Sequence, residues 1–234
     1  VFKIRAMSAQ KTAKKVAKPK KGQGRTSAGS QTQSRIMESA SSLFAQNGLK
    51  GVSIRDIVNE AGANVALANY YFGSKEALYV AAATRYVAEV NKQRSDSLDE
   101  LASFKGTQKR KLKAILAGYV MPHYAVAAKP GGMDYLRIFS RFLLETPNIS
   151  KSFTQDHFGS IRRRYLDALQ EVLTPISEQS LHRGFSFFVT NMLISPRDFG
   201  YELLNNTELT PDDLNKVGEM LVEYSAAGLW ALRD

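Results

Sequence analysis

The sequence predicts an all-α fold, and three observations predict it. Apolar residues recur at steps of three and four through most of the chain, the pattern of helices with one buried face. Ser53, Asn64 and Ser74 stand where such patterns begin, and Gly48, Gly62 and Gly73 where they stop. Alternation with a period of two, which a half-buried strand requires, is nowhere sustained, and no internal repeat is found. The expected organisation is a disordered basic arm (1–30), a three-helix unit with a helix-turn-helix (31–78), and a larger helical domain (79–234).

The arm is set apart by charge. Residues 1–30 carry Lys3, Arg5, Lys11, Lys14, Lys15, Lys18, Lys20, Lys21 and Arg25 with no acid, so nearly all of the net charge of +10 lies there. A run of like charge without large apolar residues cannot bury enough surface to fold, so the arm is expected to be disordered and to seek polyanions. A solubilising tail is the competing reading, above all for 1–6, which precede Met7.

Thr32 to Asn47 places Ile36, Ala40, Leu43 and Phe44 on one face, and Gly48 stops it. A Ser cap with Asp56 three residues on then introduces Ile54, Ile57 and Val58, and Gly62 breaks the pattern. A second short helix follows at once, capped by Asn64 and running from Val65 to Phe72 before Gly73. Two helices across a Gly-containing turn form the helix-turn-helix plan, whose second helix can enter a major groove. Ser74 is expected to cap one long helix through Leu78, Ala82, Tyr86 and Val90, ended by a polar interval from Arg94 to Gly106.

Downstream, Leu112, Ile115, Leu116, Tyr119 and Val120 form a helical face that is expected to break near Pro122. Lys129-Pro130-Gly131-Gly132 reads as a loop. Tyr135 to Thr146 and Ile149 to Thr174 read as helices punctuated by Pro147 and Pro175, followed by Ser177 to Ile194 and Pro211 to Leu232.

Ala61-Gly62, then Asn69-Tyr70-Tyr71-Phe72-Gly73-Ser74-Lys75-Glu76-Ala77-Leu78, after a helix ending Leu43-Phe44-Ala45-Gln46-Asn47-Gly48, closely resembles the DNA-binding region of the TetR family of transcriptional regulators. The resemblance covers roughly residues 31 to 80. It implies a dimer that reads double-stranded operator DNA, generally as a repressor. It also implies a helical domain that binds a small molecule and dimerises through its last two helices.

Direct base readout needs short or bidentate groups at the exposed start of the second helix, where Asn64, Val65, Ala66 and Leu67 stand. That helix has no Arg, so shape and thymine-methyl contacts would dominate, and Arg55 becomes the candidate for a bidentate guanine contact. The resemblance supports Arg55 and adds Asn69 and Tyr70, although family members usually carry Tyr where this chain has Asn69 and often His at Tyr71. Tyr71 and Phe72 read as core. Lys75 lies in the first turn of a helix, where the macrodipole disfavours a cation, so a bound phosphate would account for it. Ser53 can present the amides of its helix to another phosphate, although capping alone would justify it.

In the last helix Leu214, Val217, Leu221, Tyr224 and Gly228 form one seam, and Leu181, Phe185, Phe188 and Met192 form another in the helix before it. Either seam fits a core. A palindrome-reading helix-turn-helix needs a two-fold partner, and with the resemblance this favours a homodimer interface of four helices. Tyr119, Tyr124, Phe139, Phe142, Phe153, Phe158 and Tyr165 crowd the middle helices. Each ring alone fits plain packing; as a set they could line an apolar cavity for a small apolar effector, an acyl or aromatic anion among the candidates. Arg137 and Arg141 could meet its head group or lie on the surface.

The absence of cysteine excludes a disulfide scaffold and a zinc-thiolate site and fits a reducing cytoplasm. No apolar run approaches a bilayer span, and the N-terminus lacks the apolar stretch of a secretory signal. His123, His157 and His182 are isolated, and no zinc-protease, Walker or dinucleotide pattern occurs, so no enzyme, cofactor or metal is expected. The sequons at Asn148 and Asn205 carry no meaning without secretion. The competing function is a helical nucleoid-coating or protein-interaction module with unspecific DNA affinity and no small-molecule ligand.

Overall fold

The computed structural model describes residues 27–195 and 209–233, so the basic residues of the arm and the sequon at Asn205 lie outside the described residues. Ten α-helices and no strand occur among the described residues: α1 (Ser27–Asn47), α2 (Ile54–Glu60), α3 (Val65–Phe72), α4 (Lys75–Thr84), α5 (Val87–Glu100), α6 (Gln108–Tyr124), α7 (Gly132–Glu145), α8 (Pro147–Leu173), α9 (Glu178–Ile194) and α10 (Pro211–Ala231). Local chemistry accounts for most of their ends. Ser53 and Asp56, like Thr210 and Asp213, form reciprocal capping boxes at α2 and α10, so two otherwise unpaired amides are satisfied at each start. Thr107, Ser177 and Ser74 cap α6, α9 and α4 with their hydroxyls, and Pro147 opens α8 at a position where its missing N–H costs nothing.

α6 is the spine of the larger half and packs against α5, α8 and α10. α1 to α4 form the smaller half, and α7 packs on both α1 and α4. Leu78, Tyr79, Ala82 and Ala83 of α4 are buried, and that helix runs unbroken through the boundary expected after residue 78. One contiguous core unites the two halves, from Ile36 and Phe44 through Phe142 to Leu229.

Four expectations about elements need correction. α1 begins at Ser27, inside the segment assigned to the arm. The long helix expected from Ser74 is two, broken at Arg85 and Tyr86, where Tyr86 stacks edge-on against Tyr135 and donates its hydroxyl to the Pro130 carbonyl at 2.8 Å. The polar interval from Arg94 is helical as far as Glu100, because its polar residues form the outer face of α5 while Val87, Val90 and Arg94 face inward. α6 continues past Pro122 to Tyr124, since a proline in the last turn forfeits one hydrogen bond while Leu116, Tyr119 and Val120 hold the helix in the core. The turn before α7 is set by close approach: a Cβ on Gly132 would lie 1.8 Å from the Val126 carbonyl oxygen, which only glycine avoids.

Candidate nucleic-acid interface and ligand cavity

The turn between α2 and α3 is fixed by backbone and by one side chain from outside it. Gly62 adopts φ +58, a region costly for residues with Cβ, and the Ala63 N–H donates to the Val58 carbonyl at 2.8 Å. Arg35 of α1 donates its Nε to the Ala61 carbonyl at 3.0 Å and so ties the turn to the supporting helix. Asn64 accepts from the Leu67 N–H at 2.9 Å and starts α3 in place. On this rigid frame Ala66 and Asn69 are exposed, and Tyr70 is 81% exposed. Arg55 projects from α2 into solvent with no hydrogen-bond or carboxylate partner among the described residues.

Of the expected reading set, Arg55, Ala66, Asn69 and Tyr70 are exposed without a capping role. Val65 and Leu67 are half-buried and pack on the core, because positions one and three of α3 turn toward α2 and α1. Asn64 is exposed but already engaged as a cap, as is Ser53, whose hydroxyl takes the Asp56 N–H while the Asp56 carboxylate accepts from the Ser53 N–H at 2.8 Å. The Ser53 hydrogen bonds hold the Asp56 carboxyl below its ordinary range.

Lys75 is a correction of a different kind. Its ammonium donates to the Leu49 and Val52 carbonyls at 3.0 and 2.9 Å, closing the α1–α2 loop, so local structure explains the cation without a phosphate. Exposed Lys50 stands in that same loop, three residues ahead of the Ser53 cap.

A cavity of about 240 Å³ lies between α5, α6, α7, α8 and α9. Tyr119, Phe139 and Phe158 line it as expected, but Tyr124, Arg137, Arg141, Phe142 and Tyr165 do not. Tyr124 and Tyr165 spend their hydroxyls on the Met192 and Arg94 carbonyls at 2.9 and 3.0 Å, and burial pushes both phenols up. Phe142 packs against Phe153 and Tyr79, so neither Phe142 nor Phe153 reaches the cavity. Half-buried Arg141 reaches the opposite way, to Glu145 and to the Gln46 carbonyl at the end of α1, and half-exposed Arg137 is outside the lining.

Sequence reasoning missed the residue that dominates this space. Arg94 is 2% exposed, donates Nε to the Tyr119 carbonyl at 2.8 Å, lies 3.8 Å over the Tyr119 ring, and places its remaining nitrogens 3.5 Å from Asn91 Oδ1 and 3.6 Å from Met192 Sδ. No carboxylate pairs with it among the described residues. His123, buried beside it, is pushed down to about 3, first by desolvation and then by the Arg94 charge, and is therefore neutral.

Comparison with known proteins draws on both halves. Residues 36–82 match the family model described as "Bacterial regulatory proteins, tetR family", and residues 117–228 match "Tetracyclin repressor-like, C-terminal domain", about two thirds of the chain together. The chain belongs to the TetR family of transcriptional regulators. A probable HTH-type transcriptional regulator of Bacillus subtilis (strain 168), YttP, is 39% identical over 77 residues, a match spanning 33% of this chain and 35% of that protein. Crystal structures of the same fold include the probable transcriptional regulatory protein RHA5900 (TM-score 0.57, 15% identity, 84% of this chain and 98% of that one). HlyIIR, a hemolysin II transcriptional regulator, gives 0.55 at 19% identity over 88% and 99% of the two chains. PfmR from Thermus thermophilus gives 0.53 at 14% identity over 82% and 97%.

For a TetR-family chain the last two helices are where the second protomer is expected, and their seams need revision. Leu181, Phe185, Phe188 and Met192 are all buried within the protomer, with Phe185 and Met192 in the cavity wall. Leu214 and Leu221 are buried against α6 or α9, and Val217 is half-buried. The repeat of three and four thus marked the face turned inward. Tyr224 and Gly228 remain outside, with Tyr224 73% exposed. Met220 on the same face is 72% exposed, and Phe187 of α9 is 66% exposed.

Proposed function

We propose that this TetR-family protein is a cytoplasmic homodimeric repressor that binds operator DNA through α3 and Arg55 and is released when a small, largely apolar effector occupies the cavity. One observation carries the DNA assignment. Arg55, Asn69 and Tyr70 are exposed on a helix-turn-helix locked by three caps and by Arg35, so polar and aromatic side chains are presented to solvent on a rigid frame. Ala66 on the same face offers a methyl contact to thymine, and Lys50 a cation for the phosphate backbone. The second protomer is assigned to the outer sides of α9 and α10, at Phe187, Met220, Tyr224 and Gly228, because three large apolar side chains of these two helices are left exposed.

Repression would end by a change in population. An effector that favours one arrangement of the larger domain alters the separation of two reading heads, and it can shift that equilibrium only by its difference in affinity for the two states. Selection of genomic fragments by the purified protein, followed by competition with unrelated DNA, tests the reading. A palindromic site retained against excess random DNA is the expected result, and equal displacement by any duplex would overturn it.

A further inference from the structure

We infer that the cavity takes a small hydrophobic monocarboxylate, an aryl or medium-chain acyl acid, whose head group pairs with Arg94. This rests on the reading of the cavity as the regulatory site and names the chemistry of what fills it. The first support is the guanidinium itself. A buried cation is ordinarily matched by a carboxylate, yet among the described residues the acceptors around Arg94 are a backbone carbonyl, an amide oxygen at 3.5 Å and a thioether, all neutral. Five N–H donors face three such partners, so hydrogen-bonding capacity remains beside the unbalanced charge.

The second support is the lining. Among the described residues it contains no Asp or Glu, and apart from Arg94 the one further cation among them is Arg162, exposed at the α8 side with its guanidinium 5.8 Å from the Phe185 ring. The remaining wall is largely aromatic and aliphatic, with Tyr119, Tyr135, Phe139 and Phe158 prominent. An apolar wall excludes sugars and other polyols, and one buried positive group selects a single negative one. The third support is size. A dry cavity of about 150 Å³ accommodates benzene, so a volume of about 240 Å³ leaves room for one ring, or an acyl chain of similar bulk, with a carboxylate.

The test compares 3-phenylpropanoate and octanoate with their primary amides, which keep the shape and lose the charge, by calorimetric titration of the full-length protein. The acids should bind at least tenfold more tightly than the amides, and Arg94→Met should abolish that preference while leaving amide binding in place. Equal affinity of acid and amide, a preference that survives Arg94→Met, or no binding of any of the four overturns the inference. Should Arg94→Met not fold, the wild-type comparison alone decides. Operator binding measured beside it separates the two readings. Acids that bind without changing operator affinity support the pocket chemistry and refute effector control, whereas amides that bind as well as acids and release the DNA do the reverse.

Discussion

Acidification should expose the buried imidazole of His123. The ring lies 2% exposed in the last turn of α6, with Tyr124, Tyr135 and Phe139 at centroid distances of 5.9, 6.1 and 5.7 Å. Desolvation first, and the Arg94 charge second, push it down from 6.5 to about 3. Between those values the unfolded chain holds a proton that the folded chain does not, so stability rises with pH across the window. The contribution is fully present above the unfolded value and disappears as pH falls toward the folded one. Each unit corresponds to about 1.4 kcal/mol, so moving from pH 7.5 to 5.0 should cost on the order of 2 kcal/mol from this residue. Urea denaturation of the wild type and of His123→Phe at several pH values isolates it, because His157, His182 and the carboxylates are common to both. The variant should gain about 2 kcal/mol on the wild type between pH 7.5 and 5.0. Parallel pH profiles would show that the imidazole is solvated or charged in the folded protein, and the account of a neutral imidazole buried beside the Arg94 charge would fail with it.

Three further outcomes follow from the same geometry. Arg55→Ala should weaken operator binding by roughly 1–3 kcal/mol and relax preference at one base pair per half-site, as for a lost bidentate contact, measured by fluorescence anisotropy against single-base variants; unchanged preference removes Arg55 from the reading set. Lys75→Ala should lower folding stability by about 1–3 kcal/mol through its two carbonyl bonds and leave the salt dependence of DNA binding unaltered; unchanged stability with a slope flatter by about one unit would return Lys75 to a phosphate contact. Phe187→Glu combined with Tyr224→Glu should yield folded monomer in sedimentation and abolish operator binding, and a persistent dimer would place the interface elsewhere.

The helix-turn-helix was legible because its signals are local. Ser53, Asn64 and Ser74 bond to amides three residues away, and Gly62 and Gly73 take positive φ, so each feature declares itself within one turn of sequence. Arg94 gave no such sign. It stands in the polar run Asn91-Lys92-Gln93-Arg94-Ser95-Asp96, and contacts distant in sequence, with Tyr119 of α6, Tyr165 of α8 and Met192 of α9, distinguish it from its neighbours. The α9 and α10 seams failed for the complementary reason: a repeat of three and four marks a buried face without saying whether the burial is within or between protomers. Lys75 likewise met its partners across 23 and 26 residues, beyond any dipole argument confined to its own helix.

α7 belongs to both halves at once. Phe139 stands in the cavity wall, while Arg141 holds the Gln46 carbonyl and Phe142 packs on Tyr79 of α4. A helix of this length, about 21 Å at 1.5 Å per residue, swings its far end by close to 2 Å for a tilt of roughly 5°. Under the proposed control by a cavity ligand, such a lever would transmit in both directions, because the factor by which the ligand lowered operator affinity would also be the factor by which operator lowered ligand affinity. Protein sitting on its operator would therefore sense the effector less acutely than protein free in the cell, and the threshold for derepression would rise with the number of operators the genome holds.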